Sequence, residues 1–371
     1  MPRVIGIDPG TVSIDVCGLD EGRVFLDRSL PTADALADPA TILALIDSAR
    51  PLDLIAGPSG YGLPVVSARE LTDDQLRLAS LAARGERGGI GGLNALIRTL
   101  ARQDVPVVLT PGVIHLPSVP AHRKVNRVDM GTADKVCAAA LAVWEQAARR
   151  GCPEQETSFI LLELGGAFTA ALAVDGGAIV DGIGGSSGPL GVRASGALDA
   201  EVAFLAERIG KDLVFRGGAA TIAGMPDATL ETIATTPTPA AHLAWQAYLE
   251  SAVKAVAMLL VSVPRPAEII LSGRLARIAA VRDEFVERLT QVTTAPVHLL
   301  VGFAEIAAQA AQGAALLAYG LAGGATMGLV KTLRIREASG TVLDHLFVIS
   351  PADAKARLGI GPVRRSPGGG G

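Results

Sequence analysis

The chain opens on an apolar run, Val4-Ile5-Gly6-Ile7, that ends at Asp8 and gives way to a turn at Gly10. An apolar run without polar alternation predicts a strand covered on both faces. A second strand follows, and Asp20-Glu21-Gly22 marks a hairpin turn into a third, Arg23 to Asp27. From Phe159 the pattern returns. Phe159-Ile160-Leu161-Leu162 runs to Glu163, Gly165 and Gly166 turn the chain, and Asp175-Gly176-Gly177 turns it again. Apolar residues at helical spacing predict a helix over 132–149 and another over 307–321, the latter rich in Ala and Gly that permit close packing.

The two patterns share one offset. Asp8 and Glu163, Gly10 and Gly165, Asp20 and Asp175, and Gly22 and Gly177 are each 155 positions apart. Four matched features at a single offset point to a duplication. The alternative, two unrelated glycine-turned hairpins, leaves that offset to chance. The chain is therefore read as two similar lobes, 1–150 and 151–330, followed by a C-terminal segment, 331–371. Within that segment, Arg334 to Phe347 has the character of ordered chain covering the first lobe. The end, Arg364-Arg365-Ser366-Pro367 and four glycines, reads as disordered.

At 371 residues the chain exceeds one typical core, and 49% hydrophobic against 19% charged residues places it among packed globular proteins. A formal charge of -4 with no long basic run argues against nucleic acid as a partner. Cys17, Cys137 and Cys152 are widely spaced and form no CxxC, so neither a zinc site nor a disulfide framework is expected. The N-terminus lacks a signal-peptide core. The uncharged stretch 306–330 carries Gln309, Gln312 and mostly small residues. A buried helix is expected there, with no membrane span and a cytoplasmic location.

Each repeated unit ends a buried strand with a carboxylate and then presents the amides of a glycine bend. A carboxylate in that position needs a cation or donors. The amides approach phosphate oxygens closely because no Cβ intervenes. Asp8 and Glu163 are thus candidate metal-binding acids, for Mg2+ held largely through water. Gly10, Thr11, Gly165 and Gly166 are the candidate phosphate cradle. The competing role for Asp8 is to cap its own turn through the amides of Thr11 or Ser13. Asp15, further along its strand, is read as facing solvent. His122, Arg123, Asn126 and Arg127, in a polar block ahead of a helix, are candidate substrate-binding residues, with a solvated loop as the equal alternative. Arginine there suits a planar carboxylate or phosphate. Arg193 is the only charged residue between Gly182 and Leu198, which makes it a candidate catalytic contact to an anion. His115, His242, His298 and His345 have no spacing that suggests metal or general-base work.

On Gly6-Ile7-Asp8-Pro9-Gly10-Thr11, Leu162-Glu163-Leu164-Gly165-Gly166 and Glu268-Ile269-Ile270-Leu271-Ser272-Gly273, the chain resembles the superfamily of acetate and sugar kinases, heat-shock chaperones and actin. The resemblance covers most of the length. It implies an α/β fold of two ribonuclease-H-like lobes, with ATP and Mg2+ in the cleft between them and the adenosine against Ser272 and Gly273. Gly188 to Asp199, in which Arg193 precedes Ser195-Gly196, is similar to the acyl-kinase segment whose arginine contacts the transferring phosphoryl group. The whole chain also resembles an uncharacterised family described as predicted butyrate kinases. The implied activity is phosphoryl transfer from ATP to a small carboxylate, which needs no base, or to a hydroxyl, for which Asp129 is the candidate catalytic base. Acyl kinases are commonly dimers, so a homodimer is expected. Two residues depart from the acyl-kinase pattern. Arg274 stands where those enzymes carry a second glycine in the adenosine turn, and Asp129 lies where they use a histidine. A nucleotide-dependent switch and an ATP-driven hydrolase of the hydantoinase kind stay open as alternatives.

Overall fold

The computed structural model describes residues 1–83, 93–206 and 210–361; the expected disordered end at 364–371 lies outside them. Eleven strands are described: β1 (Arg3–Pro9), β2 (Ser13–Asp20), β3 (Arg23–Pro31), β4 (Leu54–Pro58), β5 (Val66–Ser67), β6 (Val107–Thr110), β7 (Phe159–Leu164), β8 (Thr169–Asp175), β9 (Ala178–Ile183), β10 (Glu268–Ser272) and β11 (Val297–Leu299). They form two mixed sheets, ordered β3-β2-β1-β4-β6-β5 and β9-β8-β7-β10-β11. In each, three strands make an antiparallel meander and two more add in parallel beside the first, β4 then β6 on β1, and β10 then β11 on β7. This is the duplicated, two-lobed actin-like architecture.

The repetition extends to register. Val4 pairs with Leu19 in the first sheet, and Phe159 with Val174 in the second. The third strand slips at Gly18/Leu19 in one lobe and at Ala173/Val174 in the other, again 155 residues apart. Both hairpins turn on two residues of positive φ, Glu21 at 50° and Gly22 at 78°, Gly176 at 58° and Gly177 at 72°. Such turns match the right-handed twist of the strands they join. Two unrelated hairpins would not share a bulge position.

Each first strand is buried on both faces, as its unbroken apolar run predicts. Val4 and Phe159 point into a central core, while Ile5 and Ile160 point into separate outer cores. The central core holds both connecting helices. The first, Ala133–Arg150, starts one residue later than its periodicity predicts, and the second, Gln309–Leu321, two residues later. They touch backbone to backbone at Gly313, where a Cβ would stand 1.8 Å from the Cys137 carbonyl oxygen. The boundary drawn at residue 330 groups the second helix with the second lobe, yet it packs on β1, β2 and β4 of the first sheet. The C-terminal segment joins the same core through Val342, Leu343 and Ala354. Among the described residues no helix is long and apolar enough to cross a membrane, and the three cysteines are free thiols.

Candidate functional site

Asp8 sits near the end of β1, facing Asp15 across the pair, and Glu163 occupies the same place in β7. Beyond each acid the chain folds into a tight bend. Gly10 N–H donates to Ser13 O at 2.9 Å, and Gly165 N–H to Phe168 O at 3.0 Å. Those two amides are spent closing the bends. Among the described residues, the N–H groups of Thr11, Val12, Gly166 and Ala167 have no acceptor. Of the four residues expected to present amides, Gly10 and Gly165 shape the bends, while Thr11 and Gly166, with Val12 and Ala167, carry the N–H groups left open.

The bends face each other. A Cβ built on Gly166 would lie 3.6 Å from Val12 Cγ2. Between them opens a cleft of ≈ 270 Å³ lined by Asp8, Thr11, Glu163, Gly166, Ser272 and Gly273, among others. Gly273, at φ 87°, lets the β10 turn approach the second bend; a Cβ there would stand 2.5 Å from Leu164 O. Ser272 Oγ is buried and unpartnered beside it. Arg274 lines the same end of the cleft from an exposed position.

The floor of the cleft carries an unexpected charge cluster. Lys135, on the first connecting helix, bonds its neighbour Asp134 and stands 3.1 Å from Glu163 Oε2. Burial, then Asp134, pushes the Asp8 carboxyl well above its usual range, and burial also raises Glu163. Burial works against charge on Asp134 and Lys135 as well. For each it is outweighed, by Lys135 and Thr132 for the acid, whose value falls, and by Asp134 and Glu163 for the amine, whose value rises. Asp15, expected to face solvent, is instead buried in the cleft wall and accepts from Ser13 Oγ at 2.7 Å. Among the described residues no three His, Cys, Asp or Glu side chains converge as a metal cage. Two acids at the ends of paired strands, Asp8 and the Lys135-paired Glu163, fit Mg2+ held mainly by phosphates and water.

Asp129 also lines the cleft, but its carboxylate is occupied. It accepts from Gly131 N at 3.1 Å, Ser186 N at 2.9 Å and Ser186 Oγ at 2.8 Å. It pins the approach to the first connecting helix onto the 184–187 loop, and three of its roughly four acceptor sites are taken. Arg193 is half-buried and does not line the cleft. Its backbone N–H donates to Ala167 O at 3.1 Å, so its loop leans on the second bend.

The block at 122–127 is placed differently from its expected role, outside the residues that line the cleft. His122 is exposed. Arg123 Nη1 donates to Val180 O at 2.7 Å, and its Nε stands 3.7 Å from Asp181. Asn126 Oδ1 accepts from Phe347 and Val348 N–H, and Arg127 reaches Ser187 O at 3.2 Å. Polarity marked these residues out, but their hydrogen bonds tie β9, the 184–187 loop and the C-terminal segment together. Sequence reasoning missed Lys135, Asp134, Tyr61, Phe168 and Phe215, all in the cleft lining. The two phenylalanines meet edge to face at 5.2 Å, and burial, with Asp129, raises the Tyr61 hydroxyl to about 12. The signal available for Lys135 was a charged pair, Asp134-Lys135, ahead of the apolar run 136–144 of its helix.

The model of the family described as "Protein of unknown function (DUF1464)" matches residues 6–348. No curated protein matches the sequence. Among solved structures, a propionate kinase from Francisella tularensis subsp. tularensis SCHU S4 is similar at a TM-score of 0.62 and 13% identity, over 84% of this chain and 99% of that one. An acetate kinase from Entamoeba histolytica is similar at 0.57 and 10%, over 78% and 86%, and the Porphyromonas gingivalis acetate kinase at 0.57 and 15%, over 79% and 88%. At these identities the likeness is one of fold.

Proposed function

The chain belongs to the DUF1464 family, and from that premise we propose that it is an ATP-dependent phosphotransferase acting on a small carboxylate. One observation carries the reading: two acid-tipped glycine bends, copies of one unit, face each other across a cleft at Val12 and Gly166. A polyphosphate laid there meets unpaired amides from both lobes, with Asp8 and Glu163 below to hold Mg2+. When bound, that ion neutralises phosphate charge. The adenosine lies toward Ser272 and Gly273, with Arg274 beside the base or ribose at the open rim.

The acceptor then enters from the Tyr61, Phe168 and Phe215 side. The occupied Asp129 supports a carboxylate acceptor, which is already a nucleophile at neutral pH, over a hydroxyl, which needs a base. Asp129 acts as a positioning residue by fixing the 184–187 loop. Arg193, one residue from Ala194 whose N–H also bonds Ala167 O, is carried on the loop nearest the second bend. Lobe closure would bring its side chain to the transferring group, a contact worth about 10³–10⁵ in rate in other phosphoryl-transfer enzymes.

Incubation with ATP, Mg2+ and a panel of short carboxylic acids in the presence of hydroxylamine tests this. The reading expects hydroxamate that depends on one of the acids. ADP release without any trapped acyl phosphate, whatever acid is supplied, would replace the kinase with a nucleotide-driven switch.

A further inference from the structure

Resting on the nucleotide reading above, we infer that Lys135 is a phosphate-binding residue of the cleft, whose ammonium also straps the first connecting helix to the second bend. Five carboxylates line this cleft, Asp8, Asp15, Asp129, Asp134 and Glu163. An ATP tail brought among them is repelled unless fixed positive charge meets it. Among the described residues the cleft lining holds two cationic side chains, Lys135 and Arg274. Arg274 is exposed beside the adenosine turn, which leaves Lys135 as the fixed cation at the phosphate end.

The ammonium has a donor to spare. It carries three N–H groups. One serves Asp134 and a second faces Glu163 Oε2 at 3.1 Å, which leaves the third without a protein partner among the described residues. Holding a buried lysine with a donor uncommitted is costly unless something in the cavity takes it. A phosphate oxygen between the bends is placed to do so. The ion pair also joins an element of the first half of the chain to the acid that ends β7. The same side chain thus ties that helix to the second bend.

The competing role is an internal counter-ion that neutralises acids and touches nothing else. Titration calorimetry separates the two, with ATP, ADP and adenosine (the last by competition), each in Mg2+, on the wild-type protein and on Lys135→Met. Loss of a charged hydrogen bond predicts that affinity for ATP and ADP falls about tenfold or more while that for adenosine holds. Equal changes for all three ligands, or no change, would overturn the assignment. A wild-type protein that binds none of them would remove the nucleotide reading itself, and the inference with it. If Lys135→Met does not fold, a crystal structure of the wild-type protein with a non-hydrolysable ATP analogue decides. Nζ within about 3.2 Å of a phosphate oxygen supports the proposal, and no phosphate oxygen within about 4 Å overturns it.

Discussion

Gly166 faces Val12 so closely that a Cβ added to it would stand 3.6 Å from Val12 Cγ2. That distance is ordinary van der Waals contact, so Gly166→Ala fits and should leave ligand binding nearly intact. A longer side chain has nowhere to go except the space between the bends. Gly166→Leu is expected to abolish stabilisation by ATP while the ligand-free midpoint moves by less than about 2 °C, because no packed core is disturbed. Differential scanning fluorimetry checks both variants. Unimpaired ATP stabilisation of Gly166→Leu would place the phosphates elsewhere.

The helix crossing is less forgiving. At Gly313 a Cβ would lie 1.8 Å from the Cys137 carbonyl, and backbone cannot swing aside as a flexible side chain does. Gly313→Ala should destabilise the protein by about 3 kcal/mol, at the upper end of overpacking costs, or prevent folding. Urea denaturation measures it, and a loss under about 1 kcal/mol would mean that the helices do not touch there.

Asp129 offers a sharper contrast with its sequence-based role. Its carboxylate accepts from Gly131 and twice from Ser186. Asp129→Ala should therefore cost about 2–4 kcal/mol by leaving buried donors unpaired. Ser186→Ala, which removes one of the three bonds, should cost about 1 kcal/mol and leave turnover near wild type. A turnover collapse in Asp129→Asn with unchanged stability would restore it as a base.

The pH dependence follows from Asp8. Burial, and then Asp134, raises its carboxyl in the folded chain above the ordinary 3.8. The folded state thus holds that proton more tightly than the unfolded one. Its contribution to stability is complete below the unfolded value and is lost as pH climbs through the raised one. Asp8→Asn has no proton to lose, so the ligand-free variant should gain on wild type between about pH 5 and pH 8. Denaturation at both pH values checks the sign; an equal difference at the two would contradict it.

Much of this was legible because the duplication repeats chemistry as well as hydrophobicity. An acid and a glycine at one offset located Asp8, Gly10, Glu163 and Gly165, and apolar runs located β1 and β7. Periodicity says that a residue is buried but not in which of three cores. The second connecting helix was therefore assigned with the second lobe although it lies on β1. Asp15 was misplaced for a related reason: a polar residue in a strand reads as outward, whereas a cleft wall is polar and buried together. The structural bonds of the 122–127 block were not legible because contacts to distant backbone, such as Asn126 to Phe347, leave no local pattern. Lys135 was hidden inside a helix whose stripe explained its neighbours.

The most direct test is a thermal-shift series on the wild-type protein with AMP, ADP and ATP, each with and without Mg2+. Binding between the bends predicts stabilisation that grows with the number of phosphates and with the metal, reaching about 2.7 kcal/mol at a ligand concentration a hundredfold above Kd. A shift from AMP as large as that from ATP, or none from any of the three, would contradict the account.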